Sequence, residues 1–443
     1  MAVKDKDKEK EKEKEKEKEA DKEEEKPKEK VKEKPKEKSR EDLPTEKELI
    51  GSNKEVSIIR LVDALVEHGF KARASDIHIE PEEDKVRVRF RIDGVLHDAF
   101  IFPKQLQSEI ITRIKVLSGL RTDEHQAAQD GRFKIPMDDS QFIDVRVSVA
   151  PTYYGENSVM RILAQQAQAY TLEMMGFSVK DRERIERAIK TPFGMILCTG
   201  PTGSGKTTTL YTIIRILNTA EVSIITVEDP IEYSIPGIEQ IQVNSRAGLT
   251  FASGLRSILR QDPNVIMVGE IRDEETAGIA VNAALTGHLV LSTIHTNDAP
   301  TTLPRLIDMK VESFLIASTV NIAIGQRLVR KICSDCKTKE KLTEAELKSL
   351  ADLHSEKSWD QNVYYVGKGC KSCGDSGYKG RIGIYEVLEV DDEIRQAIVR
   401  RADASDIKKI AIKNGMTTML EDGLNKASEG ITTIEEILRV IHE

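Results

Sequence analysis

The chain has 443 residues, of which 39% are hydrophobic and 32% charged, and its formal net charge is −8. This length exceeds one compact core, so two or more folded domains are expected. No run of about 18 apolar residues occurs; the best candidate, Phe314 to Ile324, is short and interrupted by Ser318, Thr319 and Asn321, so no membrane-spanning helix is expected.

The start, Met1 to Lys10, lacks the apolar stretch of a secretory signal, which points to the cytosol. The first forty residues hold 17 Lys or Arg and 15 Asp or Glu, leaving 50 basic against 60 acidic residues in the rest. The folded part is therefore acidic, and nucleic acid is not expected as the main partner.

From Lys4 to about Lys38 the sequence is nearly all Lys and Glu, interrupted by Pro27 and Pro35. With almost nothing to bury, residues 1–48 read as a disordered tail. A first folded segment, residues 49–164, opens with Val56, Ile59, Val62 and Val66 at helical spacing and a stop at Gly69. Alternating stretches at Asp76 to Glu80 and Lys85 to Ile92, then the Asp93-Gly94 turn into Val95 to Phe102, predict a β-meander. A helix follows Pro103, carrying Leu106, Ile110, Ile114 and Leu117 on one face, and strands near Arg132 to Ile135 and Gln141 to Ser148 complete an α+β domain.

From Leu172 to Arg330 the pattern becomes buried strands alternating with helices: Gly194 to Thr199, Ser223 to Glu228, Val265 to Gly269 and Leu289 to Thr293. That predicts an α/β domain with a parallel sheet. Residues 331–443 read as a small third domain with cysteine pairs, a charged helical stretch around Glu344 to Leu353 and a terminal helix at Ile434 to Ile441.

Gly200-Pro201-Thr202-Gly203-Ser204-Gly205-Lys206-Thr207 fits G-x-x-x-x-G-K-[ST] between an apolar strand and a helix beginning near Thr208. The glycines let backbone N–H groups turn around phosphates and Lys206 neutralises their oxygens. Thr207 can ligate Mg²⁺. ATP binding by residues 200–208 follows as an expectation.

At Asn264 to Asp273 four apolar residues run into Glu270, as a second phosphate-site strand does, although Gly269 stands where an aspartate is usual. A lone acid there either holds the Mg²⁺ water shell or orients attacking water. Glu228, Asp229 and Glu232 lie just past another strand, where open α/β sheets bind ligands, as candidates for water activation or Mg²⁺ contact. His295, at the end of the next strand, is placed to sense a γ-phosphate, whereas His288 at its start reads as structural. Cys198 reads as a small core residue.

These four motifs in this order resemble the secretion ATPases of type II secretion and type IV pilus assembly. Gly200 to Thr207, Glu228 to Glu232, Glu270 and His295 occupy the family's Walker A, aspartate, Walker B and histidine boxes. Ala74 to Pro81, Arg89 to Gly94, Gln129 to Arg132 and Gly325 to Val329 match as well. The resemblance implies a PAS-like N-terminal domain and a RecA-like P-loop ATPase domain, joined by a linker at residues 165–171 and closing over nucleotide, followed by a small zinc-binding, mostly helical C-terminal domain. It also implies a homo-hexamer at the cytoplasmic face of the inner membrane, working through a platform protein. In this family, arginines of the N-terminal lobe reach the phosphates, and Arg91 and Arg132 are the matching choices, with Arg113 a weaker one.

Cys333-Ser-Asp-Cys336 and Cys370-Lys-Ser-Cys373 have the spacing of two metal knuckles, and four thiolates suit Zn²⁺, with redox-active pairs as the alternative reading. The family's assembly motors carry such a tetracysteine motif. The expected cofactors are thus ATP, Mg²⁺ and Zn²⁺. Two alternatives stay open from sequence: a zinc-containing ATPase acting in DNA uptake, and a nucleotide-gated scaffold with weak hydrolysis.

Overall fold

The computed structural model describes residues 57–138, 141–163, 170–341 and 364–442. The Lys/Glu tail, most of the 165–171 linker and the stretch around Glu344 to Leu353 lie outside the described residues.

The N-terminal lobe begins with α1 (Ile58–Lys71), whose Leu61, Val62, Leu65 and Val66 are fully buried. Strands β1 (Ala74–Pro81), β2 (Lys85–Ile92) and β3 (Val95–Pro103) form the expected meander, then α2 (Gln107–Leu117) packs beside α1. Strands β4 (Gln129–Asp138), β5 (Gln141–Thr152) and β6 (Gly155–Leu163) form a second meander. The two join through β1 and β6 into one antiparallel sheet, ordered β3-β2-β1-β6-β5-β4. Alternation explains its two faces: Val86, Val88 and Phe90 of β2 enter the core under the helices, while Arg87, Arg89 and Arg91 stand on the other face. The reading of the sequence missed β6, the strand that closes the two meanders into one sheet.

The second lobe runs α3 (Val179–Ile189), β7 (Gly194–Thr199), α4 (Lys206–Leu217), β8 (Ile224–Glu228), β9 (Glu239–Gln242), α5 (Phe251–Ile258), β10 (Val265–Val268), α6 (Glu274–Leu285), β11 (Leu289–Ile294), α7 (Ala299–Asp308), α8 (Ser313–Thr319) and β12 (Val320–Ile332). Its sheet has the order β12-β7-β11-β10-β8-β9, all parallel. Both faces are covered. Met195 and Leu197 of β7 pack with α5 to α8, while Ile196 and Cys198 pack with α3 and α4, so the strand is apolar throughout.

The remainder comprises β13 (Lys337–Glu340), β14 (Tyr364–Gly367), β15 (Tyr378–Glu389) and helices α9 (Asp392–Val399), α10 (Ala404–Lys413), α11 (Met419–Ser428) and α12 (Ile434–His442). The boundary expected at residue 331 is corrected here. β15 pairs antiparallel along β12 as the edge strand of the second lobe's sheet, and α9 and α10 share the core of β10 and β11. The described residues of this stretch, 331–341 and 364–442, therefore continue the second lobe, with β13 and β14 paired as a separate two-stranded sheet. The cause is β15: it pairs along β12, and its fully buried Ile384, Val387 and Leu388 pack into three core clusters that include residues of the second lobe. No helix among the described residues is long and apolar enough to cross a membrane.

Candidate nucleotide and metal sites

The phosphate loop leaves the buried end of β7. Gly200 has φ +140°, and a Cβ there would lie 2.3 Å from the carbonyl oxygen of Gln326, so only glycine lets β12 approach so closely. Gly205, at φ +91°, turns the chain into α4 as its N-cap. Lys206 Nζ donates to the carbonyls of Gly200 at 2.8 Å and Pro201 at 3.0 Å, curling over the loop. Burial holds its pKa below the ordinary lysine value, with the nearby Glu270 charge opposing that shift. Thr207 and Thr208 occupy the first turn of α4, partly exposed, while Pro201, Thr202 and Gly203 form the exposed outer rim of the loop.

Glu270 stands two residues past the end of β10, after Gly269. Gly269 N–H donates to Val227 O at 2.8 Å, and a Cβ at 269 would crowd Val227 O at 3.3 Å and Glu228 Cα at 3.4 Å. Glu270 is mostly shielded, pairing with Arg272 at 2.7 Å and His295 Nε2 at 3.0 Å. His295 stands just past β11, whose end is pinned to β7: Thr296 N–H donates to Thr199 Oγ1, and the Thr199 hydroxyl to Thr296 O. His288 Nδ1 contacts Ala283 O at 2.9 Å, within the turn that precedes β11.

The three acids after β8 divide. Glu228 is 3% exposed, and its oxygens are taken by the Tyr211 hydroxyl, the Thr226 hydroxyl at 2.6 Å and Gln240 Nε2 at 3.1 Å. Its carboxylate is thus held inside the protein by neutral donors, with Tyr211 reaching it from α4. Asp229 is exposed, and Glu232 partly so. Both line a cleft of about 290 Å³ whose opposite wall is Asp130, Gly131, Arg132 and Arg146 of the N-terminal lobe.

Arg132 is anchored in that wall by a bidentate pair with the buried Asp144, at 2.6 and 2.7 Å, which raises its pKa; the Glu232 charge acts in the same direction. Arg132 therefore faces the acidic loop. Arg91 does not line this cleft: it donates to Gly94 O at 2.9 Å and lies 3.8 Å from Asp76, which Arg161 also engages at 2.9 Å. Arg113 pairs with Asp63 at 3.8 Å between α2 and α1, inside the helical layer.

Cys333 and Cys336 follow β12, Cys370 and Cys373 follow β14, and their four sulfurs all lie within 4.8 Å of one another. Cys333 to Cys370 is 3.8 Å, Cys336 to Cys373 is 3.9 Å and Cys370 to Cys373 is 3.7 Å. A tetrahedron with Zn–S of about 2.3 Å has edges of about 3.8 Å, so the donor set fits Zn²⁺, whereas a disulfide needs about 2 Å. Backbone supports the geometry: Cys370 N–H points to Cys373 Sγ at 3.2 Å. Gly367 and Gly377 touch so closely that a Cβ on Gly367 would overlap Gly377 O. Cys198, by contrast, is fully buried in the core, and burial pushes its thiol up to about 12.

Sequence reasoning had no signal for Tyr211, Gln240, Asp144 or Thr199 as parts of this site, since each acts through a partner distant in sequence. Gln326 lies inside a recognised motif, but its partners Ser204 and Thr209 are more than a hundred residues away, whereas Arg272 pairs with Glu270 two residues before it in the same motif.

The sequence profile described as type II/IV secretion system protein matches residues 52–439. The type IV pilus assembly ATPase PilB of Myxococcus xanthus is 43% identical over 399 residues, 90% of this chain and 70% of that protein. The type II secretion system ATPase E of Vibrio cholerae is 45% identical over 403 residues, 91% of this chain and 79% of that one. Among solved structures, the pilus retraction motor PilT with bound ADP aligns at a TM-score of 0.59 and 25% identity, over 87% of this chain and 97% of its own. The phosphate loop, its companion acid and a match along nearly the whole folded chain lead to one conclusion: this is a P-loop ATPase that belongs to the type II/IV secretion system protein family.

Proposed function

We propose that this ATPase is a motor that powers assembly of a type IV pilus or a type II secretion pseudopilus, acting as a homo-hexamer on an inner-membrane platform protein at the cytoplasmic face. The observation that carries the reading is the division of charge between two lobes. The phosphate loop, Glu270 and His295 sit on the ATPase lobe. Arg132 is held on the other, facing Asp229 and Glu232 across a cleft. A site split in this way couples lobe closure to the state of the nucleotide. The names of the relatives support the pathway.

In the proposed mechanism the loop from Gly200 to Thr208 binds the phosphates, Lys206 leaves its loop carbonyls for the β- and γ-oxygens, and Glu270 orients the attacking water with His295 beside it. Thr207 would hold Mg²⁺, which when bound would supply neutralisation of the phosphate charge. Arg132 and Arg91 add positive charge when the lobes close, and Asp229 and Glu232 set the position of that closure. Glu228 fixes the acidic loop from beneath. Cys333, Cys336, Cys370 and Cys373 would hold Zn²⁺, which would supply a structural cross-link between the end of β12 and the hairpin.

The test is ATPase activity measured against particle mass by light scattering. A Lys206→Ala chain is expected to lose nucleotide binding, and wild-type turnover to rise with hexamer formation. Full turnover by a monomer at all concentrations would overturn the motor reading.

A further inference from the structure

The phosphate loop has a partner behind it that none of the four ATPase boxes includes. Gly325 pairs with Thr199, so Gln326 of β12 lies one residue beyond the end of β7, against the start of the loop. Its side chain is 1% exposed and both ends of its carboxamide are used. Nε2 donates to Ser204 O at 2.8 Å, and Oε1 accepts from Thr209 Oγ1 at 2.8 Å. The amide orientation is chemically forced: a backbone carbonyl only accepts, so the nitrogen must face Ser204 and the oxygen the hydroxyl.

We propose that Gln326 is a positioning residue for nucleotide binding, one that sets the Ser204–Gly205 peptide so that the Gly205 N–H points into the phosphate loop. The inference rests on reading Gly200 to Thr207 as the phosphate site. A trans peptide is planar, with its C=O and N–H pointing to opposite sides. Tying Ser204 O outward to Gln326 therefore turns the Gly205 N–H inward, where phosphate oxygens need donors. Thr209, one turn into α4, locks the carboxamide and so joins the loop to the helix behind it.

The strand that carries Gln326 is itself gripped. Arg327 Nη1 donates to Val440 O at 2.5 Å, and Arg330 pairs with the buried Glu436 at 2.8 Å, so β12 is braced by α12. A rigid backing is what a preorganised loop requires, because a loop that must be ordered on binding loses affinity to that ordering.

The experiment uses the full chain and measures dissociation constants for a fluorescent ADP analogue, steady-state KM and kcat for ATP, and melting temperature without nucleotide. Gln326→Leu keeps the volume and removes both bonds; it is expected to weaken ADP binding at least tenfold and to raise KM more than it lowers kcat. Thr209→Val is expected to weaken ADP binding severalfold, and Thr209→Ser, which keeps the hydroxyl, to restore it to within twofold of wild type. Should Gln326→Leu fail to fold, the Thr209 pair decides alone. ADP binding within twofold of wild type in Gln326→Leu, or equal weakening in both Thr209 variants, would overturn the inference. Lys206→Ala separates this from the reading of the site: if it also binds ADP normally, the phosphate-site reading fails, whereas normal binding in Gln326→Leu alone sinks only the role of Gln326.

Discussion

His295 Nε2 and Glu270 Oε2 meet at 3.0 Å across the ends of two neighbouring parallel strands, β11 and β10. The pair is brought together because Thr293 Oγ1 donates to Gly269 O and Ile271 N–H to Thr293 O, which fixes the exit of each strand against the other. With Arg272 on its other oxygen, the Glu270 carboxylate is oriented before any substrate arrives.

Glu270→Gln is accordingly expected to lower kcat by about 10² to 10⁴, the usual worth of a positioned general base, while leaving ATP affinity within about threefold. Phosphate release and nucleotide binding measured on the same preparation check this. Near wild-type turnover would remove Glu270 from the role.

Tyr211→Phe deletes a donor to the buried Glu228 carboxylate without changing shape. The cost of a buried group left short of a partner is about 1 to 3 kcal/mol. A melting temperature several degrees below wild type is expected, together with a fall in kcat, since the loop bearing Asp229 and Glu232 hangs from Glu228 and Gln240. Tyr153→Phe, at a 94% exposed position, serves as the control and is expected to change neither.

Removal of metal tests the sulfur cluster. Zinc content by atomic absorption is expected at about one ion per chain, falling to none in a Cys333→Ser, Cys370→Ser double variant. With zinc bound, the four clustered thiols are expected to resist a thiol reagent that labels them after chelation. Equal labelling before and after chelation argues against a metal.

Glu386 supplies a pH dependence. It lies buried beneath α7, accepting from Ala299 N–H at 2.6 Å, and burial raises its pKa above the ordinary 4.5. An acid whose folded pKa is raised binds its proton more tightly when folded. It therefore favours the folded state below about 4.5, and that contribution is lost as pH rises through the folded value. Glu386→Gln is expected to melt higher than wild type at neutral pH, with the difference shrinking as pH falls towards 4.5. A constant difference across that range would exclude titration of Glu386 as its source.

What the sequence determined by itself was local, though not every local element, since β6 went unread. The phosphate loop follows from glycine spacing beside Lys206, the parallel strands from continuous apolar runs, the first meander from alternation around Asp93-Gly94, and the metal knuckles from paired cysteines. The tertiary structure alone decided what depends on partners far apart in the chain. It turned residues 378–389 back onto β12 and so erased a domain boundary, because an apolar strand goes wherever a free sheet edge can bury it. It enclosed Glu228 among neutral donors while leaving Asp229 exposed one residue later. And it placed Gln326, more than a hundred residues from Ser204, against the loop that it braces: hydrogen-bond partners are set by packing, to which sequence distance is no guide.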